Sequence, residues 1–479
     1  MSKFNNRPNG LAVNREGMPA YAMEDRIKLV TQVLTSFFNE RKFYGDNSAE
    51  MELTIRKVIR QDPDFVSRLA VYARRAFNMR SVAHVLTAYL AHEPEGKPYA
   101  RRTIDGITLR GDDVTELMAF YLATFGKPIP NALRKGVNDA FSRFDEYTLA
   151  KYKGAGKAVR MRDIVMLCHP RPKDEAQAAL WKRLLEDDLK TPMTWETQLS
   201  AKGNNKETWE ALIDSGKVGY MALLRNLRNI LRAAPDNIDK VWKTIANPDA
   251  IRNSKQLPFR YLSAYREIGD AAGSKALDAL ESAVRLAISN LPRLPGTTVI
   301  AVDTSGSMGW KLSDRSSVRC CEVGMMLGLI ANRICENSLF YTFDVNIEKY
   351  PLTSHTAILE TCARYARAGF GTRMGLPFEA MINDEIRADR IIIISDNECN
   401  QYRQDKKMVV QALAEEYRDV SGIDIWVHAI DLMGYGTQQF AGARTNIIAG
   451  WSEKVFEFIL LAEQGAGTLE ETIARYEWQ

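Results

Sequence analysis

The sequence predicts a multidomain chain: an all-α helical array over residues 1–296, then an α/β domain with a mostly parallel sheet over residues 297–479. Three observations predict it. Apolar positions recur at three- and four-residue spacing through the first part, the period of a helix face. The run Asn290-Leu291-Pro292-Arg293-Leu294-Pro295-Gly296 then interrupts the pattern, its two prolines and glycine ending the last helix and forming a linker. Beyond it, short β-branched runs alternate with helical segments, as βαβ units require.

In the first part the helical period is clearest over residues 25–42, 64–77, 114–125, 205–213 and 219–233. Short turns punctuate the helices: Asp62-Pro63-Asp64, Gly126-Lys127-Pro128-Ile129-Pro130, His169-Pro170-Arg171-Pro172 and Ala234-Pro235-Asp236. Asp62 and Asp64 are natural caps, because a carboxylate there can accept the free amide protons of the following helix. Paired helices with short turns over almost 300 residues predict a stacked array rather than one bundle.

In the second part, strands are expected at residues 297–303, 338–344, 390–396 and 423–431, with helices near 316–336, 374–384 and 404–420. The run Ile391-Ile392-Ile393-Ile394 is that of a strand buried on both faces. In such sheets the ligand site lies beyond the carboxyl ends of the strands, and here those ends hold Asp303, Asp344 and Asp396.

Composition narrows the function classes. With 46% hydrophobic and 26% charged residues, the chain has the make-up of a soluble globular protein. No apolar run approaches the roughly 20 residues of a membrane span, and residues 1–17 lack the apolar core of a secretion signal. Six cysteines (Cys168, Cys320, Cys321, Cys335, Cys362, Cys399) show no C-x-x-C pair, which predicts reduced thiols and a cytoplasmic protein. The net charge of +4 hides an asymmetry. Residues 1–296 carry 47 Lys and Arg against 35 Asp and Glu, a net of +12, whereas residues 297–479 carry 17 against 25, a net of −8. The first part therefore suits a polyanion.

Directly after the first strand comes Asp303-Thr304-Ser305-Gly306-Ser307, a D-x-S-x-S motif. Thr372 lies in the Gly-rich run Gly369-Phe370-Gly371-Thr372, and Asp396 ends the isoleucine strand. Three hydroxyls and two carboxylates are hard oxygen donors suited to an octahedral Mg²⁺ or Mn²⁺ ion that keeps some water. Ser305, Ser307 and Thr372 would bind directly, with Asp303 and Asp396 binding or holding coordinated water. The same residues read otherwise as an ordinary Ser/Gly turn with caps at strand ends. A nucleophilic serine is disfavoured, since the flanking residues do not match G-x-S-x-G and no histidine is near in sequence. His428, on an expected buried strand, reads as a satisfied core histidine. The lysine of a phosphate-binding G-x-x-x-x-G-K-[ST] loop is missing.

Between residues 151 and 173 seven bases (Lys151, Lys153, Lys157, Arg160, Arg162, Arg171, Lys173) face one acid, Asp163, with Tyr152 and His169 among them. Bases neutralise phosphates, while Tyr and His stack on or hydrogen-bond unpaired bases. By composition alone this is equally a solvated loop and helix start. On residues 219–233, Leu223, Leu224, Leu227 and Leu231 share one side, and Arg225, Arg228, Asn229 and Arg232 form an opposite basic face.

The D-x-S-x-S motif, the downstream Thr and the strand-end Asp resemble the metal-ion-dependent adhesion site (MIDAS) of von Willebrand factor A domains. Arg74 to Leu86 (RRAFNMRSVAHVL), Met161 to Pro172 (MRDIVMLCHPRP), Gly219 to Ile230 (GYMALLRNLRNI) and Leu257 to Ala264 (LPFRYLSA) resemble, in order and spacing, the hallmark segments of TROVE domains. The chain is thus similar over nearly its whole length to the Ro (TROVE) family, in the form of its bacterial or phage Ro-like (Rsr-type) members. The resemblance implies a ring of HEAT-like helical repeats over residues 1–296, closed by a Rossmann-like A domain over 297–479, and hence a monomer. It implies a ribonucleoprotein that binds small noncoding Y RNA on an outer basic surface and takes single-stranded 3′ ends of structured or misfolded RNA through the central hole. The family's Y RNA contacts map to Lys151, Tyr152, Lys153 and His169, and bacterial members imply an exoribonuclease partner such as polynucleotide phosphorylase.

The expected function is non-catalytic RNA quality control or tethering, with RNA contacts at Lys151, Tyr152, Lys153, Arg162, His169, Arg171, Lys173, Arg225 and Arg228 and a divalent metal, Mg²⁺ before others, on the A domain. Two rivals are weighed. One is a protein-interaction scaffold binding a partner's carboxylate through the metal. The other is a metal-dependent RNA-processing enzyme, disfavoured because the hydroxyl-rich site lacks the carboxylate set of a two-metal nuclease.

Overall fold

The computed structural model describes residues 11–15, 17–36, 48–269, 272–289, 291–311, 318–353, 356–400, 409–465 and 467–478. The chain divides into two compact units, one of residues 25–193 with 470–479, the other of residues 1–24 with 194–469.

The first unit is a stacked helical array. Asp62 caps the helix Pro63–Arg75 as expected, its Oδ1 accepting from Phe65 N at 3.0 Å, with Pro63 at the first helical position where a missing N–H costs nothing. Asp64 instead sits in the first turn, where its carboxylate complements the helix dipole. The helix Ser81–His92 (SVAHVLTAYLAH) is apolar on most of its circumference, and ten of its twelve residues are buried. Helices pack with their second neighbours as well as their first. Pro63–Arg75 and Asn131–Phe141 both lie against Lys97–Ile107, while Ser81–His92 lies against Asp112–Phe125. This two-row arrangement is the stacking of a helical repeat. The expected helix over 25–42 is present as Asp25–Leu34 and has ended by residue 35, and residues 37–42 lie outside the described set.

Residues 470–478 return to this array. Tyr476 meets the Tyr72 ring edge-on, with centroids 5.0 Å apart, and the Arg102 guanidinium lies 4.9 Å from the Trp478 ring. Gly106 makes this approach possible, because a Cβ there would stand 2.7 Å from both Trp478 Nε1 and Val71 Cγ2.

In the second unit, helices over residues 195–287 precede and pack beside an α/β sheet. Strands β1 (Leu11–Val13) and β2 (Pro19–Ala22) form an antiparallel hairpin. The main sheet comprises β3 (Leu294–Asp303), β4 (Cys335–Phe343), β5 (Ile347–Tyr350), β6 (Arg390–Ser395), β7 (Trp426–Asp431) and β9 (Thr445–Ala449), while β8 (Thr437–Gln438) pairs with β2. Its order is β5-β4-β3-β6-β7-β9, parallel except for the edge strand β5. All four isoleucines of β6 are fully buried, as a strand covered on both faces requires. The linker is shorter than the sequence pattern suggests, since Leu294 already pairs with Cys335 and is buried. The expected helices over 316–336 and 404–420 are present as Cys320–Ile334 and Val409–Ser421, and residues 312–317 and 401–408 lie outside the described set.

Candidate metal centre and nucleic-acid interface

The parallel register brings the carboxyl ends of β3, β6 and β7 level: Val302 is opposite Ile394, and Ser395 is opposite Asp431. Asp303 and Asp396 therefore emerge side by side, both fully buried. Asp303 Oδ1 accepts from Ser305 N at 2.8 Å, which curls the D-x-S-x-S turn back over the strand end. Its Oδ2 is buried and has no hydrogen-bond partner among the described residues. The Ser305 and Ser307 hydroxyls lie 3.2 Å apart. Burial and the neighbouring Asp396 carboxylate push the Asp303 carboxyl above the usual range, against the opposing hydrogen bonds of Ser305 and Ser395.

Three loops are stitched together here by backbone bonds. Gly369 N donates to Thr304 O at 2.5 Å and Gly306 N to Phe370 O at 2.6 Å, joining the turn to the Gly-rich loop. Thr372 N donates to Asn400 Oδ1 at 3.0 Å, and Asn400 N returns a bond to Thr372 O at 3.1 Å. That pair joins the Gly-rich loop to the segment after Asp396. The strand register and these loop bonds thus bring the segments of Asp303, Ser305, Ser307, Thr372 and Asp396 to the carboxyl end of the sheet, beyond β3 and β6. Among the described residues, no group of three or more His, Cys, Asp and Glu side chains is arranged as a metal cage. Phe370, 82% exposed, stands on the same Gly-rich loop.

Sequence reasoning passed over Asn400, whose place is visible only through the loop pairing, and Asp431. The latter ends an anticipated strand and is fully buried, its Oδ1 accepting from Met433 N and Gly434 N at 2.8 Å each. His428 is the satisfied core residue expected. It is fully buried, its Nε2 lying 3.0 Å from Glu463 and its Nδ1 3.2 Å from Asn446 Nδ2.

In the helical unit, Lys151 ends the helix Glu146–Lys151 and is exposed, with Nζ 5.5 Å from the ring centroids of both Tyr147 and Tyr152. Tyr152 also faces the Arg110 guanidinium at 5.2 Å. These residues, with Arg75 and Arg143, line an open cavity of about 410 Å³. Lys153 pairs with Asp187 at 2.6 Å, Lys157 with Glu116 at 2.5 Å, and Arg160 with Asp163 at 3.4 Å. Arg162 is half-exposed on the helix Met161–Cys168, its Nε 3.8 Å from Asp163. His169 caps that helix in the left-handed region (φ 50°, ψ 57°), a conformation His adopts more readily than bulkier residues. His169, Arg171 and Lys173 are exposed.

Arg225 and Arg228 belong to the other unit, on the helix Tyr220–Ala233, where both are exposed and Arg228 pairs with Glu267 at 3.2 Å. The opposite face buries Leu223, Leu224, Leu227 and Ile230, whereas Leu231 is only half-buried. Arg260, missed by sequence reasoning, is depressed to about 10 by burial and the nearby Arg225 guanidinium.

The polar residues of the RRAFNMRSVAHVL segment have a structural use instead. The fully buried Asp113 carboxylate accepts from Arg74 Nη2 (3.1 Å), Arg80 Nε (2.5 Å), Leu109 N (3.0 Å) and Arg110 N (2.8 Å), with His84 Nε2 at 3.2 Å.

Comparison with known proteins divides the chain at the linker and not between the two compact units. The TROVE domain model matches residues 32–188 and 182–275, and the Ro60 vWA domain model matches residues 297–440. The chain is 25% identical over 351 residues to telomerase protein component 1 of Rattus norvegicus, covering 56% of this chain and 13% of that protein. It is 26% identical over 278 residues to the RNA-binding protein RO60 of Caenorhabditis elegans, covering 53% of this chain and 42% of that protein. The chain thus spans well under half the length of these relatives. Its fold is similar to the crystal structure of the Deinococcus radiodurans RO (RSR) protein, with a TM-score of 0.59, 18% identity and coverage of 86% and 93% of the two chains. A helical-repeat part matched by one model and a sheet domain matched by the other place the chain in the Ro (TROVE) family, as a TROVE domain followed by a Ro60-type von Willebrand A domain.

Proposed function

We propose that this chain binds RNA without catalysing a reaction on it, and that its A domain holds a divalent cation. In this reading the RNA contacts lie within residues 1–296 and the metal ligands within residues 297–479. The observation that carries the RNA half is the stretch 151–173, where Lys151, His169, Arg171 and Lys173 are exposed and Lys151 lies against Tyr147 and Tyr152. Cations beside accessible aromatic rings suit phosphates and unpaired bases together, the chemistry of single strands and loops rather than of a duplex groove. A relative's name as an RNA-binding protein supports the same class. The finer reading is a small noncoding, Y-like RNA, or structured and misfolded RNA with a single-stranded 3′ end, bound for quality control or tethering. An exoribonuclease such as polynucleotide phosphorylase fits as the partner that degrades the RNA. Six free, buried cysteines accord with a cytoplasmic setting, and no helix among the described residues is long and apolar enough to cross a membrane.

The metal half is supported by the unpartnered, buried Oδ2 of Asp303 beside Asp396, an arrangement that a cation would compensate. Ser305, Ser307 and Thr372 would hold the ion with Asp303 and Asp396, and the hard oxygen set fits Mg²⁺ best. Such an ion supplies an electrophilic position open to an added carboxylate or phosphate oxygen. That same observation favours a second reading, a metal-dependent scaffold that docks an acidic partner protein.

The test is binding of the purified chain to structured RNAs with single-stranded 3′ ends across a salt series, with Lys151→Ala/Lys153→Ala/His169→Ala as the variant. Binding should fall steeply with salt and fall at least about tenfold in the folded variant. Wild-type chain that binds no RNA at low salt would refute the RNA reading and leave the scaffold.

A further inference from the structure

We infer that the N-terminal hairpin is a positioning element of the metal site, and that Asn14 is the residue through which it acts. The inference rests on the metal reading above. All the contacts lie within the unit that carries the sheet.

The loop after β6 bears on two of the five candidate ligands at once. It begins with Asp396, whose Oδ1 accepts from Glu398 N at 3.1 Å. It ends with Asn400, whose side chain and backbone together hold both polar backbone atoms of Thr372. Cys399 Sγ adds a contact to Thr372 O at 3.6 Å. Gly371 lets Asn400 come this close, since a Cβ there would meet Asn400 Nδ2 at 2.7 Å. Whatever sets residues 396–400 therefore sets the spacing of Asp396 and Thr372 together.

The hairpin grips this loop from the outside. Asn14 is buried, and its amide is used at both ends: Oδ1 accepts from Met18 N at 2.9 Å, closing the turn between β1 and β2, and Nδ2 donates to Cys399 O at 2.8 Å. The next residue adds a second grip, as Arg15 N donates to Glu398 Oε2 at 2.8 Å while Glu398 Oε1 accepts from Thr437 Oγ1 at 3.2 Å. The Arg15 guanidinium lies 4.2 Å from the Tyr435 ring. Further along, Tyr21 pairs with Gln438, Ala22 pairs with Thr437, and Met23 N donates to Gly436 O at 3.4 Å. A segment nearly 400 residues away in sequence thus holds the backbone that orients Asp396 and Thr372. Groups beyond the direct ligands commonly change metal affinity by about 10–100-fold when removed, because ligand orientation depends on them.

The experiment is Mn²⁺ binding to the full chain, read by calorimetry and by the electron paramagnetic resonance of free Mn²⁺. The chains compared are wild type, Asn14→Ala, Asn400→Ala and Val13→Ala. Hydrogen exchange of peptides over 369–373 and 396–400 is followed in metal-free protein. Asn14→Ala and Asn400→Ala are expected to weaken Mn²⁺ by about tenfold or more and to speed exchange in both peptides. Val13→Ala, at an exposed position at the end of β1 next to Asn14, is expected to match wild type. Wild-type affinity and exchange in Asn14→Ala would overturn the inference while leaving the metal reading intact. Equal losses in Val13→Ala would overturn it too, because the hairpin would then act by packing alone. Absence of Mn²⁺ binding by the wild type is a separate result that removes the metal reading and this inference with it.

Discussion

Removing the Asp113 carboxylate tests whether one buried charge organises the helical unit. Asp113 is fully buried and ties together Arg74 on one helix, Arg80 and His84 at the start of the next, and the backbone N–H groups of Leu109 and Arg110. Burial alone would raise its pKa, but the hydrogen bond from His84 and the charges of Arg74 and Arg80 outweigh that and hold it far below the usual carboxylate range. Asp113→Ala leaves the Arg74 guanidinium, 7% exposed, without this carboxylate. Breaking one partner of a buried ion pair costs about 3–5 kcal/mol. For a unit of roughly 180 residues, at about 2–4 °C per kcal/mol, a loss near 4 kcal/mol lowers its melting transition by about 8–16 °C. Scanning calorimetry of the full chain measures this. The Asp113→Ala/Arg74→Met double variant should recover part of the loss, because the cost lies in the stranded charge rather than in the lost contact. A shift under about 2 °C for Asp113→Ala, or strict additivity in the double variant, would refute the reasoning. The sign with pH is that of a depressed carboxylate. Its contribution is present above the unfolded value of 3.8 and is lost as pH falls from there toward the folded value.

Two further predictions concern the sheet domain. Asp303→Asn removes one of two adjacent buried carboxylates, so the metal-free variant should melt a few degrees higher than wild type while binding Mn²⁺ about 10–100-fold more weakly. A lower metal-free melting point would contradict the charge-repulsion argument. Glu463, which burial alone would raise, is instead held down to about 2 by its hydrogen bonds from His428 and Arg390. Burial lowers the His428 pKa, against the raising effect of its Glu463 hydrogen bond. The Glu463 contribution is present above pH 4.5 and lost as pH falls toward 2. Protonation of His428 in the unfolded chain adds a loss below pH 6.5. Melting curves of Glu463→Gln against pH should be flatter than wild type below pH 4.5, and parallel curves would show that the cluster does not set the acid limit.

The local pattern made much of the architecture legible. Helical spacing of apolar residues placed Asp112–Phe125 and Tyr220–Ala233 to within two residues, because burying one stripe is what holds an amphipathic helix. The isoleucine run announced a central strand, and the rule that parallel sheets bind ligands beyond their carboxyl ends pointed to Asp303 and Asp396. The basic faces were harder to read. Lys153, Lys157 and Arg160 each pair with a carboxylate, two of them more than 30 residues away in sequence, and charge counting does not see such partners. Arg80 belongs to a conspicuous segment, yet its guanidinium is spent on Asp113.

What the sequence determined by itself, then, is what near neighbours in the chain decide: helix faces, caps such as Asp62, strand alternation, the hydroxyl-rich turn and the charge asymmetry of the two parts. Tertiary structure alone decided what depends on distant segments meeting. Asn14 on Cys399, Asn400 on Thr372, Trp478 against Gly106 and the Asp113 network all join groups whose separation in sequence carries no periodic signal. The physical reason is that a buried polar group must find a partner wherever the fold supplies one. That partner is fixed by packing, and packing is a property of the whole chain.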